Sequence, residues 1–141
     1  MSSTLDKLIR YHRFLLDEKR RALREMEDAE ARIVAAIETL EMEIRREQTV
    51  AGGSTEVGFA YGGYAARAIR RRTGLKQQLA AAQAEVEAAR EALALAFENL
   101  KKYEITRDIR DEAARQEAAR REQVFLDEIA LNQHRRREGG Q

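Results

Sequence analysis

Large apolar side chains recur every three or four positions through the first third of the chain. Leu5, Ile9, Leu16, Leu23, Met26, Ile33, Ile37, Leu40 and Ile44 form one seam, widened by Leu8, Leu15, Ala22, Ala29 and Ala36. His12, Lys19 and Glu30 interrupt it. A seam of this period is one face of an amphipathic helix, with the heptad-like spacing of a coiled coil. It predicts a first helix over about 4–50, capped by Thr4. A second seam runs through Ala65, Ala68, Leu75, Leu79, Ala82, Val86, Ala89, Leu93, Ala96, Leu100 and Tyr103, with Arg72 as its single charged interruption. Between the seams lies TVAGGSTEVGFAYGG, residues 49–63, which holds five of the eight glycines. Glycine costs about 1 kcal/mol relative to alanine inside a helix, so this stretch predicts a turn over about 51–63. A second helix is then expected over about 64–137.

Two helices joined by a short glycine-rich turn predict an all-α fold, a long antiparallel two-helix coiled-coil hairpin forming one domain over 1–141. A turn centred on its middle sets Ile44 opposite Ala68, Ile37 opposite Leu75, Met26 opposite Val86, Leu16 opposite Ala96 and Ile9 opposite Tyr103. Large side chains then meet mostly small ones, which lets the helices approach closely. The second seam ends at Tyr103. The next positions in phase are Arg107, Arg110, Ala114, Glu117 and Arg121. The first helix, starting near residue 4, runs out at the same level. The C-terminal part of the second helix is therefore expected to overhang. At 1.5 Å per residue the overhang is about 45 Å and the second helix roughly 110 Å. Its expected support is alanine together with acid-before-base pairs, Asp111 with Arg115 and Glu117 with Arg121.

Composition agrees with this picture. Of 141 residues, 36% are charged and 6% aromatic, with no proline, a profile of long helices rather than of a thick globular core. The 26 basic and 25 acidic residues leave a net charge of +1. Nucleic-acid binding needs concentrated positive charge, so none is expected. Cysteine is absent, which excludes disulfides and thiolate metal sites. The opening MSSTLDKLIRYHRFLLDEKRR carries charges throughout and reads as no signal peptide. No segment reaches the length of a transmembrane span. A cytoplasmic protein is expected.

Candidate chemistry is sparse. Gly53 and Gly58 have the separation of a phosphate-binding loop, but Phe59 stands where its lysine belongs and no strand precedes. His12 and His134 are the two histidines and lack spaced companions for a metal. A two-helix rod offers no pocket in which catalytic groups converge, so no enzyme activity and no cofactor are expected. Arg135, Arg136 and Arg137 suit a helix C-terminus, and Arg70, Arg71 and Arg72 a solvated face. Phe59, Tyr61 and Tyr64 either pack over the turn or form a partner patch. Val124, Phe125, Leu126, Ile129 and Leu131 fall on the overhang. An uncovered apolar group of that size marks an interaction site, the alternative being a shifted register in which Leu5, Leu8 and Ile9 cover it.

The stretch KKYEITRDIRDEAARQEAARREQVFLDEIA, residues 101–130, has a Lys-x-x-Glu start and a Glu/Arg-rich body. It ends in R-E-Q-x-x-L-D-E, formed by Arg121, Glu122, Gln123, Leu126, Asp127 and Glu128. With the opening LDKLIRYHRFLLDEKRRAL, it makes the chain resemble the flagellar FliJ family over nearly its whole length. YscO-type stalk proteins of injectisome secretion share the design. The sequence departs from the family pattern at Tyr103 and Ile105, where leucine around Glu104 is common.

This resemblance implies a coiled-coil stalk and general chaperone of the flagellar type III export apparatus. Such a protein would lie in the cytoplasm, peripheral to the inner membrane at the flagellar base. Its implied partners are the hexameric export ATPase, the cytoplasmic domain of the membrane export gate, and export chaperones. The resemblance would place Arg107, Arg110, Arg115, Arg120, Arg121, Val124, Phe125 and Ile129 at the ATPase, and Phe59, Tyr61 and Tyr64 at the gate. A different class of reading is a structural homodimeric coiled coil or adaptor unrelated to export.

Overall fold

A computed structural model of the chain describes residues 3–52 and 55–140, with side chains described outside 55–61. Two helices pack against one another, α1 over Thr4–Ala51 and α2 over Thr55–Gly139, and no strand occurs among the described residues. The cap of α1 is Ser3, one residue before the expected Thr4. The Asp6 amide donates to Ser3 Oγ at 3.1 Å and the Ser3 amide to Asp6 Oδ2 at 3.2 Å. This reciprocal pair satisfies two backbone donors at the helix start. Asp6 fits the role because a carboxylate near an N-terminus also meets the positive end of the helix dipole.

The start of α2 differs more. It begins at Thr55 rather than near 64, so Gly58, Gly62 and Gly63 belong to helix and not to a turn. No described glycine takes a positive φ. Each glycine weakens a helix without forbidding it, and the absence of proline leaves every backbone donor in place. At the other end α2 closes with Gly140 N–H donating to Arg136 O at 3.1 Å. Arg136 and Arg137 occupy its last turn, where cations complement the dipole.

By packing, the chain divides into Arg13–Phe97 on one side and Met1–His12 with Glu98–Gln141 on the other. Within Arg13–Phe97 the helices run antiparallel. Leu16 and Arg20 line a groove with Arg90, Leu93 and Phe97, Lys19 and Met26 line another with Glu85 and Ala92, and Glu41 pairs with Arg72. Leu16, Leu40, Ala68, Ala82 and Val86 are buried, and most other seam positions of both helices are half-buried. The seam interruption Arg72 is matched across the interface by Glu41. Pairing through Nη2 avoids the larger cost of an uncompensated charge at the seam, while Arg72 Nε stays buried without a hydrogen-bond partner among the described residues.

The second body joins the first turns of α1 to the C-terminal half of α2. Ile9 is 1% exposed and Leu100 5% exposed, and they form its core. His12, another seam interruption, stacks on Tyr103 with ring centroids 4.6 Å apart, while Tyr11 meets His12 edge-on at 5.5 Å. An aromatic partner lets the imidazole lie at the seam with its apolar face covered. The expected partner of Tyr103 is Ile9, and the observed one lies about a helical turn further along. Beyond Arg107, every residue from 108 to 140 is exposed except the half-buried Glu117.

Candidate partner-binding site

The residues expected at a partner surface fall into three environments. Arg107 is half-buried at the end of the packed region. Hydrogen bonds with Ser3 hold the Asp6 carboxyl below its usual range, and the charges of Arg107 and Arg10 add to the effect. Arg107 therefore faces the start of its own α1 as well as solvent.

Arg115, Arg120 and Arg121 belong to an exposed lattice of local pairs. Arg115 forks onto Glu112, its Nε at 3.1 Å and Nη2 at 2.6 Å from the same oxygen. Arg120 grips both oxygens of Glu117, with Nε at 3.1 Å and Nη2 at 2.7 Å, and Arg121 Nε reaches the same carboxylate at 3.3 Å. The expected Glu117–Arg121 pair is present. The expected Asp111–Arg115 pair is replaced by Glu112–Arg115, one residue closer, where the i,i+3 spacing lets both guanidinium donors reach one oxygen. Hydrogen bonding to Arg115, then its charge, holds the Glu112 carboxyl below the usual glutamate range, and the bond from Arg120 does the same for Glu117. The same bonds raise the arginines. Exposed pairs of this kind stabilise little on their own, but they set the directions of the guanidinium groups. Arg110 makes no ion pair with a described residue and is exposed.

Val124 is 46% exposed, Phe125 60% and Ile129 37%, with Leu126 and Leu131 also exposed. The shifted register that would place Leu5, Leu8 and Ile9 over them is not observed, since Ile9 is buried while this group is open. Further up α2, Ile109 is 65% exposed. Tyr64 is half-buried, whereas the side chains of Phe59 and Tyr61 lie outside the described residues. Among the described residues no group of three or more His, Cys, Asp or Glu side chains is placed to hold a metal ion, and no helix is long and apolar enough to cross a membrane.

Sequence reasoning picks out the C-terminal arginines and apolar residues as positions without cover from their own chain, and all but Arg107 are exposed. It misses Glu112 and Glu117 as the carboxylates that together orient the arginines. The signal lies in the i,i+3 spacing of E-A-A-R and E-A-A-R, which a search for i,i+4 pairs passes over.

No curated protein and no solved structure matches the chain. One family model does, described as flagellar FliJ protein, and it covers residues 1–139. A match over nearly every position, on a two-helix chain with an open, charged C-terminal segment, places this protein in the flagellar FliJ family, whose members are components of the flagellar export apparatus.

Proposed function

We propose that the chain is a non-catalytic stalk of the flagellar export apparatus, and that the segment beyond Arg107 overhangs the helix pair and engages the export ATPase. The observation that carries this reading is the exposure of residues 108–140, together with the apolar group Val124, Phe125 and Ile129, which stays exposed among the described residues. A helix without a buried face gains little from tertiary packing and depends on local pairs. Such a segment leaves its side chains for a neighbour. Arginine is enriched at interface hot spots, and an exposed apolar group marks an interaction site. In this reading Arg110, Arg115, Arg120, Arg121, Val124, Phe125 and Ile129 contact the ATPase, with Arg107 at the boundary of the packed region. Tyr64, with Phe59 and Tyr61, is assigned to the cytoplasmic domain of the export gate on the ground that aromatics clustered at the glycine-rich start of α2 suit a contact surface. Export chaperones are further partners. The site of action is the cytoplasmic side of the inner membrane at the flagellar base.

The test is co-purification with the export ATPase of the same organism, comparing the full chain with one ending after Tyr103. The full chain is expected to be retained and the shortened one lost. Equal retention of both overturns the assignment of the C-terminal segment. A stable dimer in light scattering of the full chain would favour the homodimeric coiled coil instead.

A further inference from the structure

A second surface lies within Arg13–Phe97, apart from every residue assigned to the ATPase or the gate. Leu16 and Arg20 of α1 and Arg90, Leu93, Ala94 and Phe97 of α2 line a groove of about 330 Å3. Its floor is apolar. Leu16 is 5% exposed, while Phe97 is 47% exposed. On α2 the four residues stand at i, i+3, i+4 and i+7, and on α1 the two stand at i and i+4. These are the spacings of helix faces. Leu93 serves the seam, and Ala94 and Phe97 extend the apolar face beside it. Two helices side by side with a shared apolar groove present the surface into which a ridge of a third helix packs.

The charge on its rim selects the occupant. Both charged lining residues are arginines. Arg20 has one exposed contact, to Asp17 at 3.4 Å, and Arg90 makes no ion pair with a described residue. In a chain whose charges nearly cancel, both charged side chains lining this groove are of one sign. The lining offers no converging polar groups of the kind that orient a small ligand.

We propose that this groove docks an amphipathic helix of a partner protein that presents bulky apolar side chains flanked by aspartate or glutamate. The apolar residues fill the space over Leu16, Leu93 and Phe97, and the carboxylates meet Arg20 and Arg90. Flanking lysines would be rejected by the same two guanidinium groups, so the rim sets specificity while the floor supplies contact area. No residue is shared between this groove and the surface assigned to the ATPase, so either can fail alone.

The probe is a short synthetic amphipathic peptide with leucine on one face and glutamate beside it, titrated into the isotope-labelled full-length chain and followed by NMR. A second peptide carries lysine in place of glutamate. The acidic peptide is expected to shift the signals of Leu16, Arg20, Arg90, Ala94 and Phe97, and the basic peptide to leave them. Arg20→Glu with Arg90→Glu should weaken the acidic peptide by roughly tenfold or more and let the basic one bind, a reversal that lost folding cannot produce. Both arginines are on the rim, and an unchanged circular dichroism spectrum confirms the fold of the variant. The proposal is overturned if neither peptide shifts these residues, if the double variant binds the acidic peptide as before, or if raising the concentration of the chain alone shifts the same signals. The last result would identify a second copy as the occupant.

Discussion

Glu117 accepts hydrogen bonds from two arginines, which sets the directions of both guanidinium groups. Arg120 and Arg121 share its carboxylate, and Arg115 is likewise held by Glu112. Each pair favours the ionised carboxyl, so both glutamates are held below their ordinary range. A depressed folded-state pKa stabilises the fold above the ordinary glutamate range, and that contribution disappears as the pH falls through the depressed value. The order in the C-terminal segment should therefore loosen in acid and not in base. Carbon-detected NMR titration of the full chain should place Glu112 and Glu117 below glutamate in a short unstructured peptide. Arg115→Ala should return Glu112, and Arg120→Ala most of Glu117, toward the ordinary value, and high salt should narrow both differences. Titration of either carboxyl at the ordinary value in the unaltered chain would show that the forks do not persist in solution.

At the scale of the element, α2 continues through glycines that the sequence pattern marks as a turn. The penalty per glycine is real, but penalties are not prohibitions, and the packed seam C-terminal to these glycines supports the helix. Gly62 and Gly74 have open space where a Cβ would sit, and neither takes a positive φ. Gly62→Ala and Gly74→Ala should each raise stability by roughly 0.5–1 kcal/mol, read as a higher urea midpoint at unchanged slope. A loss of stability at Gly62 would place a backbone conformation there that alanine does not tolerate. Most of the helix pairing was legible for a simple reason. Ile9, Leu16, Leu40, Ala68, Ala82, Val86 and Leu100 lie on the two seams, and all are buried. The interruptions were legible only as interruptions. That Arg72 meets Glu41 and His12 meets Tyr103 depends on the register across two helices, which shifts by a turn without altering the pattern on either one. The groove beside Phe97 was not legible, since it is shaped jointly by α1 and α2.

For the molecule as a whole, the residues that stabilise it and the residues proposed to bind the export ATPase are separate sets, with the half-buried Arg107 at their boundary. The seam holds the buried apolar area, and no polar or charged side chain is buried among the described residues. The segment after Arg107 holds exposed apolar groups amid interleaved charge, which keeps such a surface soluble. If the two sets are independent, stability and binding must respond to different substitutions. Ile9→Ala removes a fully buried side chain and should cost about 2–5 kcal/mol, lowering the melting temperature while the folded fraction still binds the export ATPase. Val124→Gln, Phe125→Gln and Ile129→Gln together change exposed positions to a better helix former. Their combined effect on unfolding should stay within roughly 0.5 kcal/mol per site, while retention of the ATPase should be lost. Thermal unfolding and co-purification of the two variants side by side measure both quantities. If the triple variant were destabilised as much as Ile9→Ala, those three side chains would have to be packed against their own chain in solution, and the case for an uncovered binding segment would fail with them.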